Sequence, residues 1–123
     1  MANQREQGLR MEECAARYLN QRGLVEVARN QHSRQGEIDL IMRDGNCLVF
    51  VEVRYRRHQR YGSALESITT SKRRRIVAAA RSWLSRQTSE ADCRFDVVAL
   101  EGNPDDPIID WIQHAFDDDL AGI

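Results

Sequence analysis

The sequence predicts an α/β or α+β fold, one β-sheet with helices packed against it. Three observations carry this. Apolar residues recur at helical spacing in two separate stretches, β-rich runs fall between and after those stretches, and the length of 123 residues suits one domain with one hydrophobic core.

The first helix is expected from about Gln4 to Gln21. Leu9, Cys14, Ala15, Tyr18 and Leu19 form its apolar stripe, and Gly23 stands where a C-terminal cap belongs. A short strand is expected over 24–29, followed by a polar loop from Asn30 to Gly36. Glu37-Ile-Asp-Leu-Ile-Met42 and Cys47-Leu-Val-Phe-Val-Glu-Val53 are two β-rich runs joined by Arg43-Asp-Gly-Asn46, and Asp-Gly between apolar runs signals a hairpin. Apart from Glu52, the run 48–53 is apolar, which suits a central strand covered on both faces. The stretch 55–70 is basic and irregular, with a turn expected at Gly62. A second helix is expected from an N-cap at Ser71 to about Arg86, its stripe formed by Ile76, Ala79, Ala80, Trp83 and Leu84. Two strands follow, at 94–100 and 108–113, separated by Gly102-Asn-Pro-Asp-Asp-Pro107.

Composition narrows the function. No apolar run approaches the ~20 residues of a membrane helix, and the N-terminal stretch MANQREQGLR lacks the apolar core of a signal peptide. A cytoplasmic protein is the expectation. Cys14, Cys47 and Cys93 are far apart, with no CxxC and no histidine at ligand spacing, which argues against zinc or a disulfide framework. The net charge of −1 conceals a polarity along the chain. From 54 to 86 ten cations face Glu66 alone, whereas 101–119 is acidic, with Asp105, Asp106, Asp110, Asp117, Asp118 and Asp119. One basic face is expected, and a near-neutral total does not exclude nucleic acid, because the local field governs binding.

The hairpin brings two carboxylates together. Glu37, Asp39 and Ile41 share one strand face, as do Phe50, Glu52 and Arg54. A two-residue turn at Asp44-Gly45 sets Glu37 opposite Glu52, and one at Gly45-Asn46 sets Asp39 opposite Glu52. A three-residue turn without a bulge separates them. Charges inside a sheet are costly unless paired or bound to metal, so Asp39 and Glu52 are candidates to hold Mg2+ or Mn2+, with a structural ion pair to Arg54 or Arg94 as the alternative. Asp96 reads as a partner for a neighbouring arginine. Lys72-Arg-Arg-Arg75, with Arg56, Arg57 and Arg60, reads as a phosphate-contacting surface. Trp83 and Trp111 read as core.

Several of these residues resemble a known family. Gly36-Glu-Ile-Asp-Leu-Ile41, Phe50-Val-Glu-Val-Arg54 and Arg94-Phe-Asp-Val97 resemble the YraN-like family of bacterial proteins. Glu13, Ala16, Tyr18-Leu19, Gly23, Tyr61-Gly62, Lys72 and Ala115-Phe116 fit the same pattern. That family is similar to the PD-(D/E)xK nucleases of restriction-endonuclease-like fold, and particularly to archaeal Holliday junction resolvases. The resemblance implies an α/β/α domain with a mixed central sheet. It implies that Asp39 and Glu52 hold a metal, that Glu13 on the first helix assists, and that Arg54 stands where the superfamily carries lysine. Arginine keeps its proton, so it can stabilise charge on a phosphate but cannot act as a base.

The leading expectation is a metal-dependent endonuclease acting on structured or branched DNA. The alternatives are a DNA-binding module that does not cut, and an interaction domain whose basic and acidic ends pair between the subunits of a homodimer.

Overall fold

The computed structural model describes residues 3–58, 63–88 and 91–118. The element order is α1 (Gln4–Gln21), β1 (Val25–His32), β2 (Glu37–Asp44), β3 (Cys47–Arg56), α2 (Thr70–Leu84), β4 (Asp92–Glu101) and β5 (Ile108–Phe116). The five strands form one sheet in sequential order, with β3 and β4 parallel and the other neighbours antiparallel. Only the parallel pair needs a crossover, and α2 supplies it.

Alternation along β2 and β3 explains the layers. Ile41 and Phe50 join a buried cluster with Ile76, Val77, Ala80 and Trp83 of α2. Their neighbours Leu40, Met42, Val49 and Val51 join a second cluster with Met11, Ala15, Ala16 and Leu19 of α1. Adjacent residues of a strand face opposite ways, so the helices lie on opposite faces, in an α/β/α sandwich. Central β3 is buried from Leu48 to Glu52, as its apolar run requires.

Several boundaries differ from the sequence expectation. The polar stretch after Arg29 continues β1 to His32, and only Ser33–Gly36 turns, closed by Ser33 N–H donating to the Gly36 carbonyl at 2.9 Å. Strand β3 runs on through Tyr55 and Arg56, because pairing with β4 continues to Arg56 and Glu101. Helix α2 starts two residues earlier than expected. Thr69, not Ser71, is the N-cap, its hydroxyl accepting from Lys72 N–H at 3.1 Å, and the helix ends at Leu84. On α1 the buried stripe runs through Met11, and Leu9 is exposed. Gly62 and Arg60 lie outside the described residues.

Gly36 ties the layers together at one end of the sheet. It is buried, and a Cβ there would sit 2.8 Å from the Arg75 carbonyl oxygen of α2. The start of β2 is thereby held against the first turns of α2, three residues before Asp39. Among the described residues, no helix is long and apolar enough to cross a membrane.

Candidate active site on the β2–β3 hairpin

The hairpin takes the second of the two registers. Asp44 pairs with Cys47, so the turn residues are Gly45 and Asn46, and Gly45 adopts the φ of +60° that such a tight turn demands. The ladder runs to Leu40 opposite Val51. Beyond it the Asp39 and Glu52 side chains meet, close enough to hydrogen-bond. There the Asp39 side chain replaces a backbone acceptor, its Oδ2 taking the Val53 N–H at 2.9 Å. Asp39 and Glu52 thus come within reach of each other at the end of the sheet, where Ile38 packs with the α2 cluster and Leu40 with the α1 cluster, so that both helices approach the pair.

Glu52 is only 6 % exposed, and its carboxyl is pushed up to about 8. Burial is the main cause, and the charge of Asp39 and a hydrogen bond with it raise it further. Lys72, in the first turn of α2, and Arg54 oppose the shift without cancelling it. Arg54 Nη2 lies 3.5 Å from Glu52 Oε2, which is a loose contact. Its Nε is buried with no hydrogen-bond partner among the described residues. Buried and facing the charge of Asp39, Glu52 retains its proton near neutral pH.

Helix α1 contributes a carboxylate, but from Glu12, not Glu13. Glu13 is exposed and paired with Arg29 at 2.6 Å and with Arg17 at 3.8 Å, and Arg29 holds its carboxyl below the usual range. Glu12 is half-buried. Its Oε1 has no hydrogen-bond partner among the described residues, and burial followed by the charge of Asp39 raises its carboxyl. Asn30, held at φ +51° in β1, offers Glu12 a hydrogen bond that opposes the rise. The signal was in the helix phase. Glu12 lies three, four and seven residues before the buried Ala15, Ala16 and Leu19, whereas Glu13 aligns with exposed Arg17.

Asp96 belongs to the scaffold. Fully buried on the α1 face, it accepts from Arg94 Nε at 3.1 Å, Trp111 Nε1 at 2.9 Å and His114 N–H at 3.1 Å. His114 sits at φ +51° where β5 departs from regular pairing with β4, and the Asp96 carboxylate receives the amide freed there.

The basic region divides into two sets. Arg56 pairs with Glu101 at 2.6 Å. Arg73 donates to the Ile68 and Leu65 carbonyls at 3.1 and 2.9 Å and lies over the Phe116 ring, bracing the segment before α2. These two hold the fold together and do not present a free phosphate-contacting surface. Lys72 is half-buried beside Glu52, while Arg57, Arg74 and Arg75 are exposed. The sequence reading missed Arg34. It is exposed in the β1–β2 turn, next to Gln35, whose carbonyl accepts from Arg75 Nε at 3.5 Å.

The donor set here is small. Among the described residues no group of three or more His, Cys, Asp or Glu side chains is arranged as a metal cage. A cleft of about 760 Å³ between Arg43, Leu48, Trp83 and Gln87 opens near the hairpin turn, at the far end of β3 from Glu52.

Comparison with known proteins agrees with the sequence pattern. Residues 11–100 match the model of the uncharacterised protein family UPF0102. A UPF0102 protein of Chromohalobacter salexigens is 51 % identical over 113 residues, covering 92 % of each chain. A UPF0102 protein of Klebsiella pneumoniae is 52 % identical over 108 residues, covering 85 % of this chain and 81 % of that one. The UPF0102 protein YraN of Salmonella newport is 50 % identical over 110 residues, covering 87 % and 81 %. With a family model spanning most of its length and relatives at half identity, the chain belongs to the UPF0102 (YraN) family.

Proposed function

We propose that the protein is a divalent-metal-dependent endonuclease that hydrolyses phosphodiester bonds in structured or branched DNA. The observation that carries this reading is the Asp39–Glu52 pair. Two carboxyls meet at the end of a hairpin, one of them almost completely buried, and the loose Arg54 contact at 3.5 Å and the nearby Lys72 leave its carboxyl raised. Such an arrangement is costly without a cation and is relieved by one. An all-oxygen donor set fits Mg2+ or Mn2+, which need only a couple of carboxylates and keep several waters. When bound, the ion supplies Lewis-acid polarisation of the phosphate and a hydroxide nucleophile at neutral pH.

The chain's own residues divide the remaining work. Asp39 and Glu52 hold the cation, Asp39 oriented by the Val53 N–H. Glu12 adds a third acceptor from α1, its unpartnered Oε1 available for a proton or a water. Arg54 shares a strand face with Glu52 and remains protonated, so its role is to bind the phosphate and stabilise the charge that develops there. Lys72, Arg74 and Arg75, with Arg57 and Arg34, supply the phosphate-binding rim. The resemblance to PD-(D/E)xK nucleases supports the same division of roles.

A second reading is favoured by one specific residue. Arginine at position 54 cannot accept a proton, which supports a module that binds DNA without cutting it. Single-turnover cleavage of flapped and four-way DNA, with Mg2+ and Mn2+ separately, distinguishes the two. Wild type should cut in a metal-dependent manner, Arg54→Lys should keep or raise the rate, and Asp39→Ala should abolish it. Salt-sensitive DNA binding without cleavage by wild type or Arg54→Lys would establish the binding module instead.

A further inference from the structure

The sheet face that carries Glu52 and Arg54 continues across β4 and β5. Glu52 lies beside Val97 and then Ile112, Arg54 beside Ala99 and then Asp110, and Arg56 beside Glu101 and then Ile108. Val97 and Ala99 on this face are buried, and it reaches solvent at the edge strand, where Ile108 is 76 % exposed. A cavity of about 260 Å³ is set into it, with Ala99, Ile112 and Ala64 as apolar lining and Asp110 and the Arg56–Glu101 pair as polar lining. Arg54 is one strand away from Ala99, roughly 5 Å along the hydrogen-bonding direction.

We propose that this cavity binds a single unpaired nucleobase bearing an exocyclic amino group, in the strand whose phosphate is held at Arg54. The proposal rests on the nuclease reading for the placement of that phosphate. Three features identify the occupant. First, the volume is below the usual range for extended ligands and suits one planar ring system. Second, two of the lining residues are acidic, which repels a phosphate. A nucleotide whose phosphate sits on the arginine side therefore offers the cavity its uncharged part. Third, Asp110 is an exposed carboxylate with no hydrogen bond among the described residues, whereas Glu101 is already paired with Arg56. A free carboxylate accepts from the amino groups of cytosine, adenine or guanine, whereas the one donor of unpaired thymine, N3–H, is flanked by the O2 and O4 carbonyls, which repel the carboxylate. The apolar lining packs against the ring faces of the base. A base enters such a cavity only when it is unstacked, which selects unpaired nucleotides over duplex.

The test uses the full-length protein and four labelled duplexes that differ in one bulged nucleotide, A, C, G or T, with a fully paired duplex as reference. Binding is measured by fluorescence anisotropy without divalent metal, so that no cleavage intervenes. Wild type should bind the amino-bearing bulges roughly five- to tenfold more tightly than the thymine bulge. Asp110→Asn keeps the shape but offers a donor as well as an acceptor, and should reduce that preference to within about twofold while leaving duplex affinity unchanged. Ala99→Leu fills the cavity, and should bring every bulge down to the affinity of the duplex. Equal affinity for all four bulges, or an Asp110→Asn protein that keeps the wild-type ranking, would overturn the proposal while leaving the nuclease reading intact. Failure to bind any of the five DNAs would overturn both.

Discussion

Replacing Glu52 with glutamine should stabilise the protein at alkaline pH while removing a cation ligand. The Glu52 carboxyl is raised from 4.5 to about 8 because burial and the Asp39 charge both disfavour the anion. A carboxyl that holds its proton more tightly in the folded chain favours folding fully below pH 4.5. That stabilisation is lost as pH rises towards about 8. At about 1.4 kcal/mol per pH unit, the interval sets a ceiling of about 5 kcal/mol. Because Lys72 and Arg54 lie near enough to favour the Glu52 anion in part, a wild-type loss of about 2 kcal/mol between pH 5 and 8.5 is expected. A glutamine at this position has nothing to ionise, and its amide can donate to Asp39. Glu52→Gln should therefore match wild type at pH 5 and exceed it by about 2 kcal/mol, or roughly 5–10 °C in Tm, at pH 8.5. Urea denaturation of both proteins in metal-free buffer at the two pH values measures this. A wild-type stability that does not fall with pH, or a Glu52→Gln protein less stable than wild type at pH 8.5, would refute the reasoning.

Gly36→Ala forces a Cβ against the Arg75 carbonyl, and overpacking of this kind should lower stability by about 1–3 kcal/mol in urea denaturation. Asp96→Ala leaves Trp111 Nε1, Arg94 and the His114 amide without their acceptor; it should cost about 3–5 kcal/mol in the same assay. Any folded Asp96→Ala protein should keep its manganese affinity, since this carboxylate is taken up by Arg94, Trp111 and the His114 amide. Arg73→Ala should lower Tm, because it removes two bonds to the carbonyls of the segment before α2. Arg74→Ala with Arg75→Ala should instead leave Tm within about 2 °C, and the slope of log affinity for DNA against log salt should fall by roughly two.

The parts of the site legible in the sequence were those governed by local rules. Hairpin pairing brought Asp39 and Glu52 within reach of each other, and the Asp-Gly signal located the hairpin. The choice between two turns needed the structure, because Asp44-Gly45 and Gly45-Asn46 both suit a tight turn. Glu12 was missed because Glu13 came from the family resemblance, whereas the buried stripe through Ala15, Ala16 and Leu19 puts Glu12 on the inner side of the helix. The run Lys72–Arg75 hid two roles under one composition. Successive residues on a helix point about 100° apart, so Arg73 reaches back to Leu65 and Ile68 while Arg74 and Arg75 reach solvent. Arg56 was indistinguishable from its neighbours until the parallel pairing of β3 with β4 set it beside Glu101. That contact spans 45 residues, and no local pattern encodes it.

The central claim is that Asp39 and Glu52 form a cation site, and its most direct measurement is calorimetric titration of Mn2+ into metal-free protein at pH 7.5. Two buffers of different ionisation enthalpy report the proton released. The account predicts saturable binding at one site per chain, accompanied by release of part or all of the proton held by Glu52. Binding and release should both vanish in Asp39→Ala and in Glu52→Gln. No saturable binding by wild type, or binding that persists unchanged in Glu52→Gln, would contradict the account.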